Sequence, residues 1–238
     1  GIYNKGSGNT TIMSGSISTT GYRAYGIYNQ GSGNTTIMSG SISTTGFRGG
    51  LVNNGDNNTT TMSGSISTTG IEGYGIYNYG SGNTTTMSGS ISTTGTRGFG
   101  IYNYGDDNTT TMSGSISTTG VNGTGVENVG DNNTAIMSGS ISTINNWAIG
   151  YHHYGDTNTL SMSGTIKTVG ENAEGIRNTG NTNAVTVSGS VSSTGSSALF
   201  NHSGSGSSFT LDEGAVIIGD ITALAAATNN KLKFNLGE

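Results

Sequence analysis

A nine-residue segment, MSGSISTTG, is written five times without change, beginning at Met13, Met38, Met62, Met87 and Met112. Diverged copies follow it at Met137, Met162 and Val187. A second segment, GIYN or a variant of it, begins nine times between residues 1 and 198, at intervals of 25, 24, 25, 25, 25, 25, 25 and 23 residues. A fixed period of this length indicates a repeat architecture, in which each unit buries its apolar side chains against its neighbours.

The character of the side chains alternates along each unit. The Met position and the position four residues later stay apolar from copy to copy, whereas Ser, Thr and Gly dominate between them. Because strand side chains point alternately to opposite faces, we predict that TTIMSGSIS forms one strand. Its inward residues would be Met13, Gly15 and Ile17, and its outward residues Ile12, Ser14, Ser16 and Ser18.

Identical strands at one period stack most simply in parallel, coil upon coil. Two-residue alternation with abundant Gly, Ser and Thr disfavours a helix, whereas antiparallel hairpins stay open as an alternative. A coil of 25 residues holds three short strands and three turns. We therefore predict an all-β fold, a right-handed parallel β-helix of about nine coils, roughly 43 Å long at ~4.8 Å per coil. Residues 1–208 would form the repeats, and residues 209–238 an irregular C-terminal coil or cap that continues the solenoid.

Two asparagine columns recur inside the repeats, in the parity of the apolar columns. A stacked amide can donate to the copy on one side and accept from the copy on the other, so we predict structural ladders. Because NTT at several of these positions matches the glycosylation acceptor pattern, glycosylation is the alternative. The ladder residues are Asn4, Asn29, Asn53, Asn78, Asn103 and Asn128 in one column, and Asn9, Asn34, Asn58, Asn83 and Asn108 in the other.

The glycine-led GIYNxG units, the SGSIS segments and the closing stretch FTLDEGAVIIGDITALAAATNNKLKFNLG at residues 209–237 resemble the passenger region of autotransporters, the type V secreted proteins of Gram-negative bacteria. This resemblance implies a right-handed β-helix that is exported through the outer membrane, and therefore an extracellular location at the bacterial cell surface. The sequence opens inside a repeat without a signal peptide, so we expect a piece of a longer protein.

Composition narrows the partners. The net charge is −5, and the eight Lys and Arg residues are scattered along the chain, so we expect no nucleic-acid partner and no polybasic membrane patch. No apolar run approaches the ~18 residues of a membrane span, so we expect no direct membrane insertion. The absence of Cys excludes disulfides and thiolate metal sites. We expect no cofactor and no metal.

The strongest departure from the repeat lies at residues 144–177. It contains the single Trp147, the adjacent His152 and His153, and the carboxylates Asp156 and Glu174. Adjacent strand residues point to opposite faces, so the two histidines are a poor metal pair. The two carboxylates are a candidate acid–base pair for cleaving a glycosidic bond. Structural drift, a carbohydrate-binding patch and a catalytic site are the three interpretations.

Acidic residues also recur at one turn position, where calcium is the functional alternative to ordinary turn formation. Calcium-binding repeats need an Asp in every coil, whereas Ser or Asn replaces it in several coils here, so we interpret these residues as turn formers. They are Asp56, Asp106, Asp131 and Asp156.

Outward aromatic residues form the main candidate binding surface, a stripe along the first seven coils. The alternative to a role in protein or glycan contact is a purely structural role, in which the rings only stack between coils. The tyrosines are Tyr3, Tyr28, Tyr77 and Tyr102 in one column, and Tyr79, Tyr104 and Tyr154 two positions further along. Trp147, Tyr151 and His152 add candidate binding residues from the diverged region.

These observations favour a non-enzymatic extracellular β-solenoid that acts in adhesion or self-association. Its partners would be other copies of itself, or a host or cell-surface protein or glycan. The alternatives are a subunit of an end-to-end stacked fibre, a polysaccharide-active or polysaccharide-binding β-helix, and an ice-binding face. The last would be one flat array formed by Thr10, Ile12, Ser14, Ser16 and Ser18.

Overall fold

A computed structural model describes residues 1–235 and Gly237. In these residues the protein is an all-β parallel solenoid of about nine coils with a period of about 25 residues and no helix. The predicted fold class, period and number of coils are confirmed. Accordingly, no helix in the described range is long and apolar enough to span a membrane.

Each of the first seven coils contributes one strand to each of three stacks, and these strands pair in register with the equivalent residues one coil away. The register shifts only in the pairings of the long strand Ser190–Ser205. The first stack, named here the Ile-Asn stack, carries the GIYN segments; for example, Ile76 pairs with Ile101 and Asn78 with Asn103. Its strands are Ile2–Lys5, Ile27–Gln30, Leu51–Asn54, Tyr74–Tyr79, Phe99–Tyr104, Thr124–Val129, Ile149–Tyr154 and Glu174–Thr179.

The second stack, the Thr-Met stack, forms a separate ten-stranded sheet. Its strands are Thr10–Met13, Thr35–Met38, Thr59–Met62, Thr84–Met87, Thr109–Met112, Thr134–Met137, Thr159–Met162, Ala184–Val187, Ser208–Leu211 and Lys231–Phe234.

The third stack, the Ser-Ile stack, carries the SIST segments. Its strands are Ser16–Thr19, Ser41–Thr44, Ser65–Thr68, Ser90–Thr93, Ser115–Thr118, Ser140–Ile144 and Thr165–Val169. The longer strands Ser190–Ser205 and Val216–Ala223 pair with both the Ser-Ile and the Ile-Asn stacks, and the short strand Ala227–Thr228 pairs with Gly204 and Ser205.

The predicted single strand TTIMSGSIS is wrong, because the chain bends between its two halves. Thr10–Met13 belongs to the Thr-Met stack, whereas Ser16–Thr19 belongs to the Ser-Ile stack. The predicted flat array for an ice-binding face is wrong for the same reason. Thr10 and Ile12 lie on one stack, and Ser16 and Ser18 lie on another.

The predicted alternation within each half is confirmed. Met87 and Ile91 are buried, whereas Ser88 and Ser90 are exposed. The inward Met and Ile columns run through the whole solenoid and form one continuous apolar core. At ~25 cal/mol per Å² of apolar surface, burial of these columns is the main stabilising contribution to the fold.

Glycine makes the corner between the Thr-Met and Ser-Ile stacks. A Cβ added at Gly89 would lie 1.9 Å from the carbonyl oxygen of Gly64 in the preceding coil, and the corresponding distance from Gly114 to Gly89 is 2.0 Å. At each of these corners a side chain would therefore collide with the backbone of the coil beneath. The Ser-Gly-Ser sequence recurs because the coils can stack this closely at the corner only if the corner residue has no Cβ.

The first asparagine column forms a side-chain amide ladder along the core. The Nδ2 of Asn78 donates to Oδ1 of Asn103 at 2.7 Å and to Oγ1 of Thr85 at 2.9 Å. The same amide-to-amide bond links each neighbouring pair from Asn4 to Asn128 at 2.6–2.8 Å. Both amide hydrogens of Asn78 are thus bonded inside the core, which leaves no unpaired donor on this side chain.

The second asparagine column is bonded differently from the prediction. Its Oδ1 atoms accept from the backbone N–H of the preceding copy; for example, the N–H of Asn83 donates to Asn108 at 2.9 Å. The Asn83 Nδ2 donates to the carbonyl of Gly80 at 2.9 Å and so closes the turn. Asn34, Asn58, Asn83 and Asn108 are buried in this arrangement, which leaves no room for a glycan on their amides.

Residues 209–235 continue the stacks of the preceding coil. The strand Lys231–Phe234 pairs in parallel with Ser208–Leu211, and Val216–Ala223 pairs with the long strand before it. In this last layer Ile221, Leu232 and Phe234 stand in inward columns yet are exposed, because no described residue packs above them.

Candidate binding groove

The outward tyrosines of the Ile-Asn stack form two stacked columns. Rings in adjacent coils lie nearly parallel, with centroids 5.2 Å apart for Tyr77 and Tyr102 and 5.4 Å apart for Tyr79 and Tyr104. The column of Tyr28, Tyr77 and Tyr102 is half-buried, whereas Tyr79, Tyr104 and also Tyr154 are about half-exposed. Burial raises the pKa of Tyr77 and Tyr102 above the usual range, so their hydroxyls stay protonated further into the alkaline range than an exposed tyrosine does.

A row of turn residues runs parallel to the tyrosine columns, and the space between the row and the columns is named here the groove. These residues occupy one position of the turn before the Ile-Asn stack, and all have left-handed backbone conformations with φ between 51° and 60°. This conformation is unfavourable for large side chains by about 1–2 kcal/mol, yet the row contains no glycine. It consists of Arg23, Arg48, Glu72, Arg97, Asn122, Trp147 and Asn172. The turn thus holds long side chains beside the tyrosine columns.

Further aromatic rings lie between the turn row and the tyrosines. The ring of Tyr74 lies 4.7 Å from that of Tyr77, and the ring of Phe99 lies 4.9 Å from that of Tyr102. Tyr25 packs on Tyr28 in the same way at 4.9 Å. In the second, fourth and fifth coils the floor of the groove is therefore two aromatic rings wide rather than a single column.

All four arginines of the chain lie along this groove, although they are far apart in the sequence. Arg23 and Arg48 line one part of it, and Arg97 and Arg177 another. The arginines are scattered along the sequence, as stated above, but the fold brings them to one face of the solenoid. Glu72 partly neutralises the row, because its carboxylate lies 3.2 Å from the Arg48 guanidinium and 3.9 Å from that of Arg97.

The tyrosine column has a gap in the third coil. Val52 pairs with Tyr28 on one side and Tyr77 on the other, so it stands where the flanking coils have tyrosine. The chain is one residue shorter between Arg48 and Leu51 than in the other coils, which removes the residue equivalent to Tyr25 and Tyr74. The result is a cavity of about 210 Å³ lined by Arg23, Tyr25, Tyr28, Arg48, Val52, Asn54, Tyr77 and Tyr79.

The diverged region at residues 144–177 lines one part of a second cavity further along the same groove, with a volume of about 300 Å³; residues between Arg97 and Glu127 line the rest. Trp147 is exposed at its edge, and His152 is nearly buried within it. The His152 Nδ1 lies 3.1 Å from Glu127 Oε1 and its Nε2 lies 3.2 Å from Thr179 Oγ1. Trp147 and His152 therefore both line this cavity.

Tyr151 does not belong to this surface, and its place among the binding candidates is wrong. It stands in the inward Ile column and is completely buried. Its hydroxyl accepts a hydrogen bond of 2.7 Å from Asn128 Nδ2 and so takes over the next step of the amide ladder. Two core substitutions accompany each other here: Tyr151 stands in the isoleucine column, and Ala135 stands in the column that is threonine in earlier coils. The larger and the smaller side chain together repack the core.

His153 also points inward, opposite to His152, and is completely buried in place of a ladder asparagine. Burial, with a smaller contribution from His152, lowers the pKa of His153 to about 3. The unfolded chain has a histidine pKa near 6.5. The unfolded state therefore binds more protons between these two values, and stability falls as the pH falls from about 6.5 towards 3.

We expect that His153→Asn reduces this acid sensitivity. The parent should lose more melting temperature than the variant between pH 7 and pH 4, because His153 alone contributes up to ~1.4 kcal/mol per pH unit in that range. Thermal unfolding followed by circular dichroism at several pH values measures the difference. The carboxylates titrate in both proteins, so equal losses in both would contradict a neutral buried His153.

The structure separates the candidate acid–base pair. Glu174 begins the strand Glu174–Thr179, whereas Asp156 lies in the turn that follows Tyr154 at the other end of the neighbouring strand. The register puts about seven residues, or roughly 20 Å, between them, well beyond the carboxyl separations of glycosidases. Glu174 instead pairs with Arg177 at 2.5 Å. The proposed catalytic pairing of Asp156 with Glu174 is therefore wrong.

The turn aspartates act as backbone acceptors. The N–H groups of Asp156 and Asn181 donate to the carboxylates of Asp131 and Asp156, each at 2.7 Å. The bonds from Asn181 lower the pKa of Asp156. Within the described residues, no three His, Cys, Asp or Glu side chains form a cluster that could hold a metal ion.

The arginine row and the inner aromatic residues Tyr25, Tyr74 and Phe99 were not among the residues predicted from the sequence. A signal was available, because GYR, GFR and GTR each place an arginine two or three residues before the glycine that begins the next GIYN-type segment. No protein-family model, no curated protein sequence and no solved structure matches this chain.

Proposed function

We propose that this chain is a β-solenoid segment of an extracellular bacterial surface protein, which acts without catalysis in adhesion or self-association. The observation that carries the proposal is the exposed outer tyrosine column. Tyr79, Tyr104 and Tyr154 present about half of their surface to solvent beside a floor of stacked rings. Tyrosine gives a large contact area at a low entropic cost, which suits such a surface to contact with a partner.

The autotransporter-like segments GIYNxG and SGSIS support the extracellular part of the proposal. In this interpretation the rigid solenoid displays the tyrosine column along its length. Two copies associate sideways, each contributing the same stripe, and the many equivalent contacts add along the rod. The same stripe can contact a protein or glycan on another cell.

We expect that Tyr79→Ser, Tyr104→Ser and Tyr154→Ser together reduce the association of the purified protein with itself. Light scattering over a range of protein concentrations measures this association. The matched control removes three exposed apolar side chains from the Thr-Met stack with Ile12→Ser, Ile37→Ser and Ile136→Ser. The parent and the control should associate, and the tyrosine variant should stay monomeric.

The proposal is wrong in its choice of surface if the isoleucine control loses association as fully as the tyrosine variant. If the parent stays monomeric at every concentration and no tyrosine substitution changes this, the tyrosine column does not mediate self-association. Its role is then only the stacking of rings between coils. Melting temperatures of all three proteins establish that each is folded. They should be similar, because the substituted side chains are at the surface.

An end-to-end stacked fibre is the second candidate, because the parallel, register-matched pairing that joins each coil to the next is the same along the repeats. The same pairing between molecules would extend the sheets from one copy to the next. Electron micrographs distinguish the two candidates, since continuous filaments formed by both the parent and the tyrosine variant would favour the fibre over lateral adhesion.

A further inference from the structure

The cavity at the gap in the tyrosine column is lined by an unusual combination of aromatic, cationic and amide side chains. The gap interrupts a repeated aromatic stack at one coil, because Val52 replaces tyrosine and one aromatic residue is deleted after Arg48. Val52 forms the floor and is itself almost covered, with 3% of its surface exposed. Tyr28 and Tyr77 stand two coils apart, about 10 Å, at the two ends of the gap.

Two arginines form the wall of this cavity on the turn side. Arg48 is held by Glu72 at 3.2 Å. Arg23 is exposed, and among the described residues no carboxylate lies within 4.0 Å of its guanidinium. A guanidinium binds a carboxylate through two parallel N–H donors, with a geometry that lysine cannot reproduce. The cavity therefore offers a free cationic fork beside aromatic rings.

Neutral hydrogen-bonding groups lie on the opposite wall. Asn54 donates through Nδ2 to the Tyr28 hydroxyl at 2.7 Å, and Tyr79 adds a second exposed hydroxyl. Aromatic rings for the C–H face of a sugar, polar groups for its hydroxyls and an arginine for a carboxylate are the features of a site for an acidic sugar.

An extended acidic peptide fits this cavity less well. Such peptides bind most often by adding a strand to a free sheet edge. The strand Leu51–Asn54 has no free edge, because it pairs with Ile27–Gln30 on one side and Tyr74–Tyr79 on the other. Recognition here must come from side chains, and the ~4.8 Å rise per coil lets the units of a polysaccharide follow the groove from coil to coil.

We propose that the cavity between Tyr28 and Tyr77 binds a uronic acid unit of a carboxylated polysaccharide. The sugar ring packs against the exposed parts of the two tyrosine rings that flank Val52, and its carboxylate is bound by Arg23, with Arg48 as the second cation. This inference rests on the proposed adhesive function and gives one ligand class to the same groove. Through this cavity the solenoid attaches to acidic polysaccharide on a surface or in a matrix.

The test uses the whole protein and fluorescently labelled trigalacturonate, with binding measured by fluorescence polarisation at fixed salt. Val52→Tyr should abolish binding, because it restores the column residue of the neighbouring coils and fills the cavity. Arg23→Gln should weaken binding about tenfold or more, through loss of the charged hydrogen bonds. The control Lys167→Gln makes the same change in charge on the Ser-Ile stack and should bind like the parent.

Two further probes define the specificity. Neutral galactotriose should bind at least about tenfold more weakly than trigalacturonate, since it lacks the carboxylate. Polyglutamate at the same carboxylate concentration should also bind more weakly, and equal binding of polyglutamate would overturn the sugar assignment. Failure of the parent to bind trigalacturonate, or unchanged binding by Val52→Tyr, would overturn the proposal.

The experiments distinguish failure of the proposed adhesive function from failure of this inference. Self-association that depends on Tyr79, Tyr104 and Tyr154 is measured without any sugar and does not require the cavity. Val52→Tyr should therefore leave that association intact while it removes trigalacturonate binding. Circular dichroism and the melting temperature of Val52→Tyr establish that the variant folds, and Arg23→Gln tests the site without filling the cavity.

Discussion

Gly89→Ala should destabilise the solenoid by about 3 kcal/mol or more, at the upper end of the cost of overpacking. The added methyl group would lie 1.9 Å from the carbonyl oxygen of Gly64 and 2.7 Å from the carbonyl carbon of Ser63. Both contacts involve backbone, which cannot move aside without separating two coils. Urea unfolding followed by circular dichroism gives the change in the free energy of unfolding.

Gly15→Ala is the matched control, because Gly15 occupies the same corner in the first coil. A Cβ at Gly15 would meet nothing within 4 Å. This substitution should be neutral or slightly stabilising, by up to ~1 kcal/mol, because alanine restricts the unfolded chain. Equal destabilisation by both substitutions would show that the corner needs glycine for its backbone conformation rather than for close stacking of the coils.

Asn78→Leu should cost about 1–3 kcal/mol for each buried polar group that it leaves without a partner. Asn78 accepts from Asn53 and donates to Asn103 and Thr85, at 2.7–2.9 Å. Leucine has the same branching as asparagine and is larger, so no cavity forms and the loss comes from the hydrogen bonds, with some crowding added. Thermal and urea unfolding, compared with the parent, measure the effect.

Ser90→Ala is the control for the ladder, because Ser90 is exposed on the Ser-Ile stack of the same coil. Substitutions at such surface positions usually change stability by less than ~0.5 kcal/mol. If Asn78→Leu and Ser90→Ala shifted the melting temperature by the same small amount, the amide ladder would contribute nothing to stability.

The period and the alternation of side chains were sufficient to predict the solenoid and its core. Met87 and Ile91 are inward because the columns that they represent stay apolar in each copy. The same alternation could not show the bend after Met13, because it continues across the corner without a change in parity. What marks the bend is close contact between the backbones of stacked glycines, and that contact is a property of neighbouring coils.

The candidate groove was predicted only in part, for a similar reason. The tyrosine columns follow from their spacing within the strands. The positions of Arg23, Arg48 and Arg97 depend on the left-handed turn that holds them, and the sequence does not show the direction of that turn. The cavity above Val52 depends on where one deleted residue falls, and only the three-dimensional register places that deletion beside two arginines.

The repacked layer around Tyr151 gives the chain a reference point for folding. Five copies of MSGSISTTG are interchangeable, so a strand of one coil fits the next coil or the one after it equally well. Ala135, Tyr151 and His153 differ from their counterparts in every unchanged copy and fit each other in only one alignment. We expect a solenoid that folds outward from this layer to pair each strand with the adjacent coil. One that folds from the identical repeats can pair a strand with the wrong coil and must then rearrange.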